Sequence, residues 1–116
     1  MKTYCEIVVK YILPGIRALV AKDLIEVYKF TQREAAKRLG TTQPAISQYK
    51  KHLRGRGATI LENDRDINEK ISVISKNLAE RVIDANNLKK EFCDICEFIR
   101  KKYGESIEEL ILRTLE

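Results

Sequence analysis

The chain has 116 residues, of which 44% are hydrophobic and 34% charged, and its formal net charge at pH 7 is +5. This length and apolar content predict one globular domain with a modest core, and they argue against a disordered chain. No apolar run approaches the roughly 18 residues that cross a bilayer, and Glu6 and Lys10 interrupt the short apolar stretch at the start. We therefore expect a cytoplasmic protein with no signal peptide and no membrane partner.

The first predicted element is an amphipathic helix, because apolar residues recur at intervals of three and four between Ile12 and Val27. Pro14 is expected to begin its main part, since a proline is tolerated in the first turn of a helix. Residues 5–12 are expected to form a shorter helix or an extended arm. Phe30 is predicted to pack beside the start of the next helix.

Residues 32–51, QREAAKRLGTTQPAISQYKK, predict a helix, a tight turn and a second helix. Thr31 and Glu34 have the spacing of a capping box, in which each side chain bonds the other residue's backbone N–H. Gly40 is placed to end the first helix in a left-handed conformation. Thr42 is placed to cap the second helix.

The second helix of this pair is predicted to lie in the major groove of DNA. Ile46 and Tyr49 are expected to face inward, which leaves a polar outer face. An ordinary helical hairpin would have little reason to expose so many polar residues together, although that alternative stays open. The residues predicted to bind DNA are Thr42, Gln43, Pro44, Ser47, Gln48, Lys51, Arg54, Arg56 and Arg33.

Charge is concentrated around this helical pair. Residues 28–58 contain eight Lys or Arg and one acid, Glu34, whereas residues 59–116 have a net charge of −3. A local basic excess is typical of a surface that binds a phosphate backbone. Arg54 and Arg56 in the following loop are predicted to hold phosphates, with a plain connecting loop as the alternative.

The second half is predicted to be helical and to complete the core. An apolar stripe is expected along its first helix at Ile67, Ile71, Ile74, Leu78 and Val82. A second helix is expected from Leu88 to Tyr103, ended by Gly104, and Ser106 would cap a short final helix. At least one stripe is expected to form a homodimer interface, because two motifs about one helical turn apart read a two-fold DNA site.

The sequence has three cysteines, Cys5, Cys93 and Cys96. Their odd number indicates that the fold does not depend on a framework of disulfides. On a helix, Cys93 and Cys96 would share an apolar face, which favours buried and inert thiols over a cofactor site. If the N-terminal arm brought Cys5 to them, the three thiolates would suit zinc or an iron–sulfur cluster with an external ligand. A reversible redox switch is a third hypothesis.

Three stretches of the chain resemble one family: CEIVVKYILPGIRALVAKDL, TQREAAKRLGTTQPAISQYKKHLRGRG and FCDICEFIRK. They are similar to archaeal predicted transcriptional regulators with a repressor-type (Cro/C1-like) helix-turn-helix. The resemblance implies DNA-binding regulation. Longer members carry a thiamine-phosphate-synthase-like domain that senses a metabolite. No such domain is recognised here, so an unidentified effector would have to bind the helical region or a partner.

The combined prediction is an all-α, homodimeric transcriptional regulator that binds double-stranded DNA. Residues 1–58 would form a repressor-type helix-turn-helix region, and residues 59–116 a helical extension with long amphipathic helices. One alternative is a protein-interaction module, such as an antitoxin or adaptor, and another is a metal- or redox-responsive regulator. We expect no enzymatic activity, because the sequence has one histidine, no glycine-rich phosphate loop and no nucleophile with a plausible base.

Overall fold

The computed structural model describes residues 12–53, 61–104 and 106, and for residues 50–53 it describes the backbone alone. Five helices follow one another: α1 (Leu13–Glu26), α2 (Gln32–Leu39), α3 (Gln43–Leu53), α4 (Arg65–Ala79) and α5 (Leu88–Tyr103). No strand occurs in these ranges, so the predicted all-α class is confirmed for them. None of the five helices is long and apolar enough to cross a membrane. The predicted N-terminal arm before Ile12, the Arg54 and Arg56 loop, and the final helix after Ser106 lie outside the described residues.

Helix α1 lies at the centre of the core and packs mainly against α3 and α4. Pro14 lies in its first turn, as predicted, and Ile16, Val20 and Leu24 are fully buried. One cluster of buried apolar side chains joins α1, α2 and α3 to α4 and α5. The first and second halves of the chain therefore share a single core within the described residues.

The predicted stripes of α4 and α5 face this core. The side chains of Ile67, Ile71, Ile74 and Leu78 on α4 and of Leu88, Phe92, Ile95 and Ile99 on α5 are all buried. Because these side chains are covered within one chain, they are not free to meet a second copy. A homodimer, which stays a prediction, would have to use other surfaces.

The stripe on α4 ends one turn earlier than predicted. The sequence predicts that Val82 continues it, but the helix ends at Ala79 and Val82 is 67% exposed. Arg81 takes a left-handed conformation with φ of 60°. The N–H of Val82 donates to the carbonyl oxygen of Asn77 (2.8 Å), and that of Arg81 to Leu78 (3.3 Å). These two bonds form a Schellman motif, which turns the chain away from the helix axis.

The start of α4 is joined to the end of α5 through one buried carboxylate. Asp64 caps α4 by accepting from the Ile67 N–H (3.1 Å), and it also accepts from Lys102 Nζ (2.7 Å) and the Tyr103 hydroxyl. Burial opposes ionisation of Asp64, but the hydrogen bonds from Lys102, Tyr103 and the Ile67 N–H outweigh it. The pKa of Asp64 is therefore lowered to about 2.

Asp64→Asn should lower stability at neutral pH by about 1–3 kcal/mol, because it removes the charge that accepts these bonds. A carboxyl with a depressed pKa stabilises the fold above its unfolded pKa, near 3.8, and loses that contribution as pH falls through about 2. The difference between the two proteins in urea unfolding should therefore shrink between pH 4 and pH 2. A difference that stays constant over this range would contradict the assigned role of Asp64.

Candidate nucleic-acid interface

Helix α2 begins and ends at the residues that the sequence predicts. Thr31 Oγ1 accepts from the Glu34 N–H (3.1 Å), which satisfies one of the free donors at the helix start. The other half of the predicted capping box differs, because the Glu34 carboxylate accepts from Arg38 Nε (3.2 Å). Gly40 has φ of 67°, and the Thr41 N–H donates to the Ala36 carbonyl (2.9 Å). The left-handed Gly40 and this hydrogen bond end α2 and set the direction in which the chain enters α3.

Helix α3 is anchored on the core by a short inner face. Thr42 Oγ1 accepts from the Ala45 N–H (3.3 Å), so Thr42 caps the helix as predicted. Ile46 is buried, and Tyr49 is half-buried against the core. Two anchors at this spacing fix the rotation of α3 about its axis, and they therefore determine which side chains point outward.

The outer surface of α3 carries most of the predicted DNA-binding residues that the structure describes. The exposed residues are Thr42, Gln43, Pro44, Ser47 and Gln48. Within α3, Gln43 and Ser47 are four residues apart, as are Pro44 and Gln48, so these side chains share one face. The side chain of Lys51, and all of Arg54 and Arg56, lie outside the described residues. α3 contains no acidic residue.

A side-chain hydrogen bond joins the exposed face of α3 to the start of α2. The Ser47 hydroxyl donates to Gln32 Oε1 at 3.1 Å. Arg33, the next residue on α2, is exposed. We name this surface the α2–α3 polar face and define it as Gln32, Arg33, Thr42, Gln43, Pro44, Ser47 and Gln48. Sequence reasoning did not select Gln32, because only the fold brings it to Ser47.

Arg38 does not contribute to this face, although it is one of the eight basic residues of residues 28–58. Its Nη1 donates to the carbonyl oxygens of Leu78 (2.8 Å) and Ala79 (3.2 Å) at the end of α4. Its guanidinium lies 5.0 Å from the centroid of the Phe30 ring, and its side chain is only 17% exposed. Arg38 therefore stabilises the end of α4 and fixes α2 against it.

Residues 28–58 keep a net positive charge although Arg38 does not contribute to the face. Glu34, the one acid of residues 28–58, is paired with Arg38, so the two charges offset each other. Arg33 and Lys37 on α2 are exposed. The α2–α3 polar face therefore combines hydrogen-bonding side chains with a positive local charge.

The cysteine pair on α5 differs from the prediction at one position. Cys96 is half-buried against the core, but Cys93 is exposed rather than buried. Cys93 follows the buried Phe92 by one residue, and one residue is about 100° around a helix, so it lies beside the buried stripe. Burial raises the pKa of the Cys96 thiol to about 11, and Cys93 adds to this while Arg17 opposes it.

At neutral pH and without a bound metal, Cys96 is therefore a protonated thiol. No group of three or more His, Cys, Asp or Glu side chains that could hold a metal ion occurs in the part of the chain that the structure describes. Cys5, the third ligand of the metal or cluster hypothesis, lies outside that part. The hypothesis stays a prediction.

Comparisons of the chain with protein-family models, curated proteins and solved structures found no match. The resemblance to archaeal regulators therefore remains a prediction from the sequence.

Proposed function

We propose that the chain is a sequence-specific DNA-binding transcriptional regulator. In this proposal, α2 and α3 form a repressor-type helix-turn-helix, and α3 enters the major groove. The observation that carries the proposal is the α2–α3 polar face, which contains no acid and in which every residue except the half-buried Gln32 is exposed. Its larger part lies on α3, which two core anchors hold in place. A helix with its side chains is about 10–12 Å across, and the major groove is about 12 Å wide, so α3 has a diameter that fits the groove.

The residues of this face have separate roles in the proposal. Gln43 and Gln48 read base edges, because a Gln amide can both donate to and accept from adenine in the major groove. Thr42 and Ser47 contact base edges or phosphates, and Pro44 shapes the first turn. Lys51, Arg54 and Arg56 would hold phosphates, which position the protein without reading sequence.

Gln32 and Arg33 at the start of α2 extend the proposed DNA-binding surface beyond α3. The sequence does not predict that the start of α2 lies beside Ser47. Because Ser47 donates to Gln32, the start of α2 and the middle of α3 present their polar groups as one surface. Arg33 at this position is suited to the phosphates that flank the groove, since the guanidinium binds phosphate oxygens in pairs. We propose that the protein acts as a homodimer on a two-fold site, as repressors with this motif do.

Gln43→Ala and Arg33→Ala should weaken DNA binding in different ways. Gln43→Ala should relax the preference at the contacted base by about 1–3 kcal/mol. Arg33→Ala should weaken all sequences alike and make the dependence of affinity on salt less steep, by about one phosphate contact. Fluorescence anisotropy with a selected site and a scrambled site, over a series of salt concentrations, measures both effects.

Arg65→Ala is the matched control, because Arg65 on α4 is 92% exposed in its side chain and lies outside the α2–α3 polar face. It removes the same charge and should change neither the salt slope nor the base preference. If Gln43→Ala, Arg33→Ala and Arg65→Ala all reduce affinity equally for both DNA sites, the assigned roles are wrong. If the wild-type protein binds neither site, or binds without salt dependence, DNA recognition by this face is wrong.

A further inference from the structure

A cavity of about 600 Å³ lies next to the turn between α2 and α3. Its walls come from α1, from the end of α2 with Gly40 and Thr41, from Tyr49 on α3, and from α5. The volume is within the range of pockets that bind small molecules. These walls belong to four helices that share one core.

The lining of this cavity combines apolar side chains with two cations. Leucine side chains from α1, α2 and α5 and the Phe92 ring provide the apolar surface. Arg17 and Lys89 are both exposed and both line the cavity. No carboxylate lines it among the residues that the structure describes.

The contrast with a second cavity shows that this charge is local. The groove of about 540 Å³ between α4 and α5 is lined by one cation, Lys70, and by four carboxylates, those of Asp66, Glu69, Glu91 and Asp94. Two cavities of similar size in one small protein therefore differ in the net charge of their linings. The first is suited to an anion with an apolar body, and the second is not.

We propose that the cavity beside Gly40 and Thr41 binds a small amphipathic anion, an apolar body with a carboxylate or phosphate group. The apolar part lies against Phe92 and the leucines, and the anionic group is bound by Arg17 and Lys89. Desolvation of the apolar body supplies affinity, while the two cations select against neutral and cationic molecules of the same shape.

Because of the position of the cavity, a bound anion would contact the residues that orient α3. Gly40 and Thr41 form both the wall of the cavity and the turn that orients α3, and Tyr49 reaches the cavity from α3 itself. A ligand that prefers one arrangement of these groups shifts the population toward it. An effect on DNA affinity rests on the proposed function, whereas binding to the cavity does not, so binding is tested without DNA.

The probe is 4-phenylbutyrate, and its matched cation is 4-phenylbutylamine. Cys93 lines the cavity and is exposed, so its rate of alkylation by iodoacetamide, followed by peptide mass spectrometry, reports occupancy. We expect 4-phenylbutyrate to slow alkylation of Cys93 saturably, with a Kd on the order of 1 mM, as suits a ligand of this size. The amine should give no saturable protection.

Two substitutions locate the site. Arg17→Gln combined with Lys89→Gln should raise the Kd for 4-phenylbutyrate about tenfold or more, in line with the loss of two charge-assisted contacts. Lys76→Gln, an exposed charge on α4 outside the cavity, should leave it unchanged. Circular dichroism verifies that each variant is folded. Absence of saturable protection, equal protection by the amine, or an unchanged Kd in the double variant would overturn the proposal.

Discussion

Gly40→Ala should destabilise the protein by about 2–4 kcal/mol, because two independent costs add at this position. Gly40 has φ of 67°, a left-handed conformation that costs a residue with a Cβ roughly 1–2 kcal/mol. A Cβ at Gly40 would also lie 2.7 Å from the Cβ of Ala85, closer than two carbon atoms can pack. The loop after α4 therefore has to move away from the turn that orients α3.

The two costs can be separated with a double variant. Ala85→Gly removes the second Cβ, so Gly40→Ala combined with Ala85→Gly should recover the part of the loss that comes from the clash. Urea unfolding of the four proteins measures the coupling between the two sites. If the stability losses of the two single variants simply add in the double variant, the turn does not contact Ala85 in solution.

Arg38→Met should cost about 2–3 kcal/mol, because hydrogen bonds from a charged donor to the end of α4 are lost. Arg38 Nη1 donates to Leu78 and Ala79, and no methionine atom can replace that donor. Methionine keeps an apolar stem similar to that of arginine, so the loss of stability reports the polar contacts of the guanidinium. Thermal or urea unfolding measures the change.

Lys37→Met is the matched control, since Lys37 is the neighbouring residue of α2 and is exposed. It removes the same charge and should change stability by less than about 0.5 kcal/mol. If both variants lose the same stability, the effect comes from net charge, and the contact of Arg38 with α4 is not the reason for it.

Local signals predicted the ends of the helices best. The cap at Thr31, the left-handed glycine at Gly40, the cap at Thr42 and the end of α5 at Gly104 are each determined by a residue and its near neighbours. Such caps satisfy backbone groups within the same turn. They can therefore be recognised without knowledge of the fold.

The sequence does not predict the end of α4, because the left-handed residue there is Arg81 rather than a glycine. Without a glycine or proline, the apolar spacing alone extends the helix to Val82. Arg38, on a helix about 40 residues earlier, also donates to the last carbonyls of α4. A contact of this sequence separation leaves no periodic or compositional signal.

The candidate site shows the same division. The exposed residues of α3 follow from the helical period once Ile46 is taken as an anchor, so the sequence predicts most of the face. The pairing of Ser47 with Gln32 and the removal of Arg38 from the basic set depend on how α2 packs, which the sequence does not reveal. The exposure of Cys93 likewise depends on which side of α5 the core covers.

Selection of bound DNA from a random double-stranded pool tests the proposed role of α3 most directly. The wild-type protein should enrich one sequence motif, and binding to it should weaken steeply as salt is raised, as expected for a protein that contacts several phosphates. Selection with Gln43→Ala should give a motif that is degenerate at one position of each half-site. No enriched motif with the wild-type protein would contradict base reading by α3, and the same motif with Gln43→Ala would contradict the role assigned to Gln43.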